Sequence, residues 1–362
     1  MSNCPRKLTS PRVWRTYTGG KLIDAIHGVE YGKDGQFPEE WIISVVNARN
    51  VGREHILDEG LCYLADTQVS LRDYIDEDPQ GILGAAHMEQ VGKTPGVLVK
   101  IIDAAERLTV HAHPDKERAL ELFHSPFGKT ECWHILGGRE VDGQQPCIYL
   151  GFKEGITREY WKQCFDLQDI PAMLNCLNQF PVSAGQTYLI PGGVPHAIGA
   201  GCLLIEIQEP TDYTVRTERV TPSGLRIKDQ QCHQGLGFER MFDCFAYEGL
   251  SEQEARSRFV IPPVCLEASA NFTQMELVGS PRTDCFRLER YEILADTKLP
   301  HKAVMSGLYI ISGRGKLVSE SSTVKFEAGE QFFVAADCGE ISLIPEEPVI
   351  LFRCYGPKLK TE

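Results

Sequence analysis

The chain has 362 residues, 42% of them hydrophobic, with 33 Gly and 21 Pro, a profile that fits a globular protein of about two or three domains. Against 50 Asp and Glu stand 37 Lys and Arg, and the resulting formal charge of −13 repels a phosphate backbone, so no nucleic-acid partner is expected. A small anionic substrate stays compatible, because a few local Arg and Lys side chains reverse the field inside a cleft. The 13 cysteines include no CxxC pair and read as reduced thiols of a cytoplasmic protein. Met1 to Tyr17 has no apolar run and reads as neither secretory signal nor anchor. Apolar runs such as Cys202–Ile205 have strand length, far short of the ~20 residues of a membrane helix.

In chain order, Thr109–His113 is the first clear strand of β-branched and aromatic type. Asp115–His124 follows Pro114 with apolar residues among charges and reads as a helix. Cys132–Leu136 is a strand closed by Gly137-Gly138. Thr157–Leu177 opens on a capping residue and places Tyr160, Trp161, Phe165 and Leu167 at helical spacing, so residues 157–178 read as a helical insertion. Gln186–Pro191 and Cys202–Gln208 are strands again, and Ser251–Phe259 is a short helix at a domain boundary. Phe180–Pro191 (FPVSAGQTYLIP) is echoed by Val324–Ala335 (VKFEAGEQFFVA), and Trp133–Gly138 (WHILGG) by Leu308–Gly313 (LYIISG). These echoes predict an all-β protein of two copies of one barrel, residues 1–250 and 251–362, with the helical insertion in the first.

Chemistry concentrates in the first copy. His111 and His113 stand at i and i+2 of a strand, so both imidazoles share a face. Glu131 enters a second strand, and His196 follows the turn Pro191-Gly192-Gly193. A lone HxH pair is also found as two solvated histidines. Joined by Glu131 and His196, it forms the metal-ligand set used by cupin barrels. His134 is out of phase with Glu131 and reads as structural. Glu206 lies in an apolar strand, where a carboxylate needs a cation or a chemical task, unless it faces outward with Leu204 and Gln208. Arg216 suits stabilisation of an oxyanion or pairing with Glu218. Lys129 shares a face with Glu131 and is a candidate to bind an anionic substrate group. In the second copy no histidine lies near Phe332–Asp337, and His301 is the copy's single one, so residues 251–362 are expected to hold no metal.

Three motifs carry a family resemblance: Leu98–Pro114 (LVKIIDAAERLTVHAHP), GKTECWHIL at Gly128–Leu136, and IPGGVPHAIGAG at Ile190–Gly201 followed by EIQEPTDYTVR at Glu206–Arg216. From about Trp14 to Arg240 the chain resembles the type I mannose-6-phosphate isomerases, and more loosely to its end. The resemblance implies interconversion of mannose 6-phosphate and fructose 6-phosphate through an enediol. It implies zinc at His113, Glu131 and His196 with a fourth ligand from His111, Arg216 acting at the reaction centre, and Lys129, Glu206 and Asp212 lining the pocket. For proton transfer, metal-bound water, Glu206 and Asp212 all remain candidates. The chain departs from the family at His111, where Gln is usual, so Mn2+ and Fe2+ stand beside Zn2+. It also departs in the longer segment Trp14–Lys21 and near Glu40–Ser44, which bears on the identity of the sugar. An oxygen-dependent cupin, a non-catalytic sugar-binding cupin and an isomerase of a different aldose remain as alternatives, and the protein is expected to be a monomer or homodimer.

Overall fold

The computed structural model describes residues 4–50, 52–300 and 302–360. Its strands form four antiparallel sheets in two pairs. A six-stranded sheet runs in the order Arg12–Val13, Glu39–Ile42, Leu98–Asp103, Cys202–Gln208, Glu131–Gly138, Thr187–Ile190. A five-stranded sheet runs Val215–Arg216, His111–Ala112, His196–Ile198, Cys147–Phe152, Leu177–Pro181. C-terminal strands repeat the plan. Val264–Ala268, Phe272–Val278, Arg287–Ile293, Val349–Tyr355, Ser306–Ser312 and Gln331–Val334 follow one another in the larger sheet. Thr297–Leu299, Ile341–Pro345, Gly315–Val318 and Thr323–Phe326 form the smaller one.

The two echoes seen in the sequence fall at the same register. Trp133 lies opposite Tyr188, and its echo Leu308 lies opposite Phe332, the echo of Tyr188. Cys202–Gln208 is apolar at almost every position because its sheet is covered on both faces. Ile205 and Ile207 belong to a core shared with Leu308, Phe332 and Phe352 of the C-terminal strands, whereas Leu204 packs with Trp133 and Ile135 in a separate core. Glu206 therefore shares the inner face of Leu204 and Gln208, not an outer, solvated one. His134, on the opposite face from Glu131, is buried with its ring 5.7 Å from that of Phe352.

Local chemistry sets the element ends. Asp115 caps the helix Lys116–Phe123 through the Arg118 N–H, and Ser251 caps Glu252–Phe259 in a reciprocal box with Glu254. That last helix buries Ala255 and Phe259 against Tyr188 and Leu204 of the N-terminal strands. The helical insertion is two short helices, Arg158–Leu167 and Ile170–Asn175, separated by Gln168 in the left-handed region and restarted by the Asp169 cap and Pro171. The strand expected over Thr109–His113 is shorter, His111–Ala112, because the Val110 N–H leaves the ladder to donate to the Glu218 carboxylate. Leu71–Glu77, Pro79–Leu83 and Ala85–Gln90 add helices with no counterpart in the sequence reading.

One expectation fails outright. Thirteen reduced thiols were expected, yet Cys4 and Cys338 form a disulfide across 334 residues, while the other eleven are free. The pair is created by tertiary structure: Arg6–Leu8 adds to the edge of Gln331–Val334 and carries Cys4 beside the C-terminal barrel. No sequence spacing signals such a pair. Among the described residues, no helix is long and apolar enough to cross a membrane.

Candidate metal centre and active site

His111 and His196 lie directly opposite each other on neighbouring antiparallel strands, and His113 follows one step beyond. The three ring centroids are 4.3, 4.9 and 5.1 Å apart. Each Nδ1 lies against a backbone carbonyl: His111 on Thr109 at 2.6 Å, His113 on Tyr213 at 2.7 Å and His196 on Val194 at 2.8 Å. A carbonyl only accepts, so all three Nδ1 atoms carry the proton and all three Nε2 lone pairs are left for the centre. Burial pushes the three imidazoles below their ordinary range, His113 to about 3. They are neutral imidazoles.

Glu131 completes the cluster. Its Oε1 is 2.9 Å from His113 Nε2 and its Oε2 is 3.5 Å from His196 Nε2. Both carboxylate oxygens and His196 Nε2 are buried without hydrogen-bond geometry to a neighbour. One ring nitrogen from each of the three histidines lies within 4.8 Å of the others, and with the Glu131 carboxylate beside them the donor set fits a divalent metal. Lys129 Nζ lies 2.7 Å from Glu131 Oε1 and 3.0 Å from His113 Nε2, at the metal cluster itself. The turn that delivers His196 needs its glycines. A Cβ on Gly192 would lie 2.5 Å from the Asp115 Cα, and Gly193 has φ +86°. The Gly193 N–H donates to the His113 carbonyl at 2.7 Å, tying the turn to the ligand strand.

The other sequence-predicted residues face the same cavity, which is lined by His111, His113, Lys129, Glu131, Glu206, Asp212 and Arg216. Glu206 is buried, accepts from Trp133 Nε1 at 2.9 Å and pairs with Lys100 Nζ at 2.8 Å. Burial and the Glu131 charge raise its pKa, against the pull of Lys100. Burial would also raise the Asp212 carboxyl, but Arg15, Lys100 and Lys129 overcome it and hold it down at about 2. Arg216 Nη1 donates to the Thr214 and Gln231 carbonyls at 3.2 and 2.9 Å. Glu218, the alternative partner, is taken by Arg107. Asp212 also lines a second groove, which carries Arg49, Arg72 and Lys93.

The cavity floor holds groups the sequence reading did not single out. Arg15 Nε pairs with Glu39 at 2.9 Å, its Nη1 reaches Asp212 at 3.4 Å, and its guanidinium lies 5.0 Å from the Trp41 ring. Tyr17 and Trp41 both donate to Glu39, at 2.8 Å each. Lys100 was legible in principle, since a charge inside LVKIID raises the same question as Glu206. Arg15 was not, because its partners are 24 and 197 residues away.

No family model matches the chain. It is 28% identical over 243 residues to a mannose-6-phosphate isomerase of Streptococcus mutans, covering 66% of this chain and 69% of that protein. It is 23% identical over 250 residues to the mannose-6-phosphate isomerase ManA of Bacillus subtilis, covering 68% and 71%. The crystal structure of the mannose 6-phosphate isomerase from Bacillus subtilis superposes with TM-score 0.74 at 20% identity, over 97% of this chain and 99% of that one. The chain is a relative of the mannose-6-phosphate isomerases. The resemblance read from its motifs is thereby borne out, and with it the all-β, cupin-type fold. The mannose 6-phosphate isomerase of Salmonella typhimurium, in its apo form, shares that fold with TM-score 0.70 at 17% identity over 99% of this chain and 100% of that one. So does a mannose 6-phosphate isomerase bound with zinc and yttrium, with TM-score 0.68 at 16% identity over 98% of this chain and 100% of that one.

Proposed function

We propose that this protein is a metal-dependent aldose–ketose isomerase that interconverts mannose 6-phosphate and fructose 6-phosphate, with zinc as its resident metal. One observation carries the reading. His111, His113 and Glu131, with His196 beside them, line one cavity together with Glu206, Lys100, Asp212 and Arg216. A sugar-binding barrel without turnover does not account for that further set of charged groups.

The reaction moves a proton between C2 and C1 through an enediol, and negative charge builds on oxygen. A divalent metal, when held by His111, His113, Glu131 and His196, would supply Lewis-acid stabilisation of that charge. Glu206 is assigned the proton transfer, because it is a buried carboxylate on the cavity wall, fixed by Trp133 Nε1 and Lys100 Nζ. Asp212, held at about 2, is a poor base and instead orients hydroxyl groups as a fixed acceptor. Arg216 adds a fixed positive fork at the developing oxyanion. Lys129, beside Glu131, contacts the substrate oxygens at the metal end, and the basic groove beyond Asp212 receives the phosphate.

Residues 1–250 carry this chemistry, and residues 251–362 form a barrel without metal. The ladder position of Glu131 is occupied there by Ser306, judged from the matched pairs Trp133–Tyr188 and Leu308–Phe332. His301 lies outside the described residues. We place the protein in the cytoplasm, as a monomer or homodimer, with a phosphorylated sugar as its partner. A coupled assay with mannose 6-phosphate tests the function directly. Turnover should vanish on chelation and return with Zn2+, whereas absence of turnover in the zinc-loaded protein would refute it.

A further inference from the structure

Residues 14–21 contribute Arg15, Thr16 and Tyr17 to the lining of the cavity, and their backbone is fixed at Arg15 and again at Thr18. The Arg15 N–H donates to the Gln36 carbonyl at 2.9 Å, and the Thr18 N–H to Glu106 Oε1 at 2.8 Å. The Arg15 side chain is held as firmly. Its Nε lies 2.9 Å from Glu39 Oε2, its guanidinium lies over the Trp41 ring, and its Nη1 donates to Asn50 Oδ1 at 3.3 Å. Glu39 is itself fixed by Tyr17 and Trp41, with Lys100 Nζ 3.9 Å away. Lys100 pairs in turn with Glu206 at 2.8 Å, so the anchor of Arg15 is part of the same floor that holds Glu206.

The other end of the Arg15 fork meets Asp212 squarely. Nη1 donates to Asp212 Oδ2 and Nη2 to Oδ1, both at 3.4 Å, so the planar guanidinium sets the plane of the carboxylate. The Arg49 N–H adds a donor to Oδ2 at 2.9 Å. Each carboxylate oxygen offers about two acceptor sites. Oδ2 has two donors and Oδ1 has one, which leaves an acceptor site on Oδ1 of a residue that lines the cavity.

We propose that Arg15 is a positioning residue: anchored on Glu39, it holds the Asp212 carboxylate so that Oδ1 accepts from a substrate hydroxyl. The inference rests on the isomerase reading, in which Asp212 orients the hydroxyl groups of the sugar, and adds the residue that imposes this orientation. Lysine does not replace it, because a point charge on a flexible stem cannot span Glu39 and Asp212 as the planar fork does.

A double-mutant cycle in steady-state kinetics with mannose 6-phosphate tests this on the zinc-loaded, full-length protein. It compares wild type, Arg15→Lys, Asp212→Asn and the double variant, with thermal unfolding and metal content confirming that each is folded and loaded. Arg15→Lys should lower kcat/KM on the order of tenfold, the cost of a misplaced orienting group. In the Asp212→Asn background the same change should cost nothing further, because the carboxylate that Arg15 aims is already gone. Arg15→Gln, carried through the same cycle, should give the same pattern. A purely structural role would lower both backgrounds by one factor. Equal losses in the two backgrounds, or full activity of Arg15→Lys beside an impaired Asp212→Asn, would overturn the proposal alone. Full activity of Asp212→Asn would overturn it together with the role of Asp212, and absence of turnover in wild type would refute the isomerase reading beneath both.

Discussion

Arg15 is the cation on which two buried carboxylates of the cavity floor depend, Glu39 and Asp212. Replacing it with Met takes the guanidinium from both, leaving Glu39 with Tyr17, Trp41 and Lys100 and Asp212 with the Arg49 N–H, and breaking a buried pair from one side costs about 3–5 kcal/mol. Urea unfolding of Arg15→Met should show a loss of that size; a loss near zero would mean the pairings contribute nothing net. Asp212 gives the same network a pH signature. Its folded pKa of about 2 lies below the ordinary aspartate value of ~3.9. The resulting stabilisation is complete above the unfolded value and is lost as pH falls toward the folded one. Unfolding free energy should therefore drop between about pH 4 and 2, less steeply in Asp212→Asn. For Arg216 the proposed role is in the chemistry instead. Arg216→Ala should lower kcat on the order of 10²-fold with a smaller change in KM and wild-type metal content. A rise mainly in KM would assign Arg216 to phosphate binding. Local pattern singled out Glu206 and the four-residue cluster, because each sits in a strand or turn that demands an explanation, whereas the role of Arg216 came from the family resemblance, spacing alone leaving pairing with Glu218 open. Neither reached Arg15, whose meaning comes only from chain segments folded against it.

At the scale of elements, the strand Arg6–Leu8 crosses from the N-terminus to the edge of Gln331–Val334, and the Cys4–Cys338 bond fastens it there. Cross-linking so long a loop restricts the unfolded chain, and such bonds typically contribute about 2–4 kcal/mol. Cys4→Ser should lower stability by that amount in denaturant unfolding, and the reduced wild type should match it. Equal stability of oxidised and reduced wild type would show the bond to be energetically idle. Strands with turn-and-alternation patterns were legible, and the structure adds that the echoed segments pair at one register, Trp133 with Tyr188 and Leu308 with Phe332. The helices between Leu71 and Gln90 were not. They are five to seven residues long, too short for a periodic signal, and are held by the Ser70 and Asp78 caps and by packing against the C-terminal strands.

Across the whole molecule, the two barrels share one continuous core, in which Ile205 and Ile207 meet Leu308 and Phe352. The six-stranded sheet thus has one face for packing and one for chemistry. Burial on the packing face fixes where Glu206 and Lys100 sit on the other. A doubled barrel was readable from the echo, but not that its halves bury a sheet between them, since an apolar run looks alike whether a partner or its own barrel covers it. The central claim is that the four-residue cluster holds the metal while Glu206 acts on the substrate beside it. Metal content and turnover of mannose 6-phosphate, measured on the same samples of wild type, His113→Ala and Glu206→Gln, test both halves together. His113→Ala should lose metal and turnover, and Glu206→Gln should keep about one metal per chain while losing turnover. Full metal occupancy and turnover in His113→Ala, or unchanged turnover in Glu206→Gln, would contradict it.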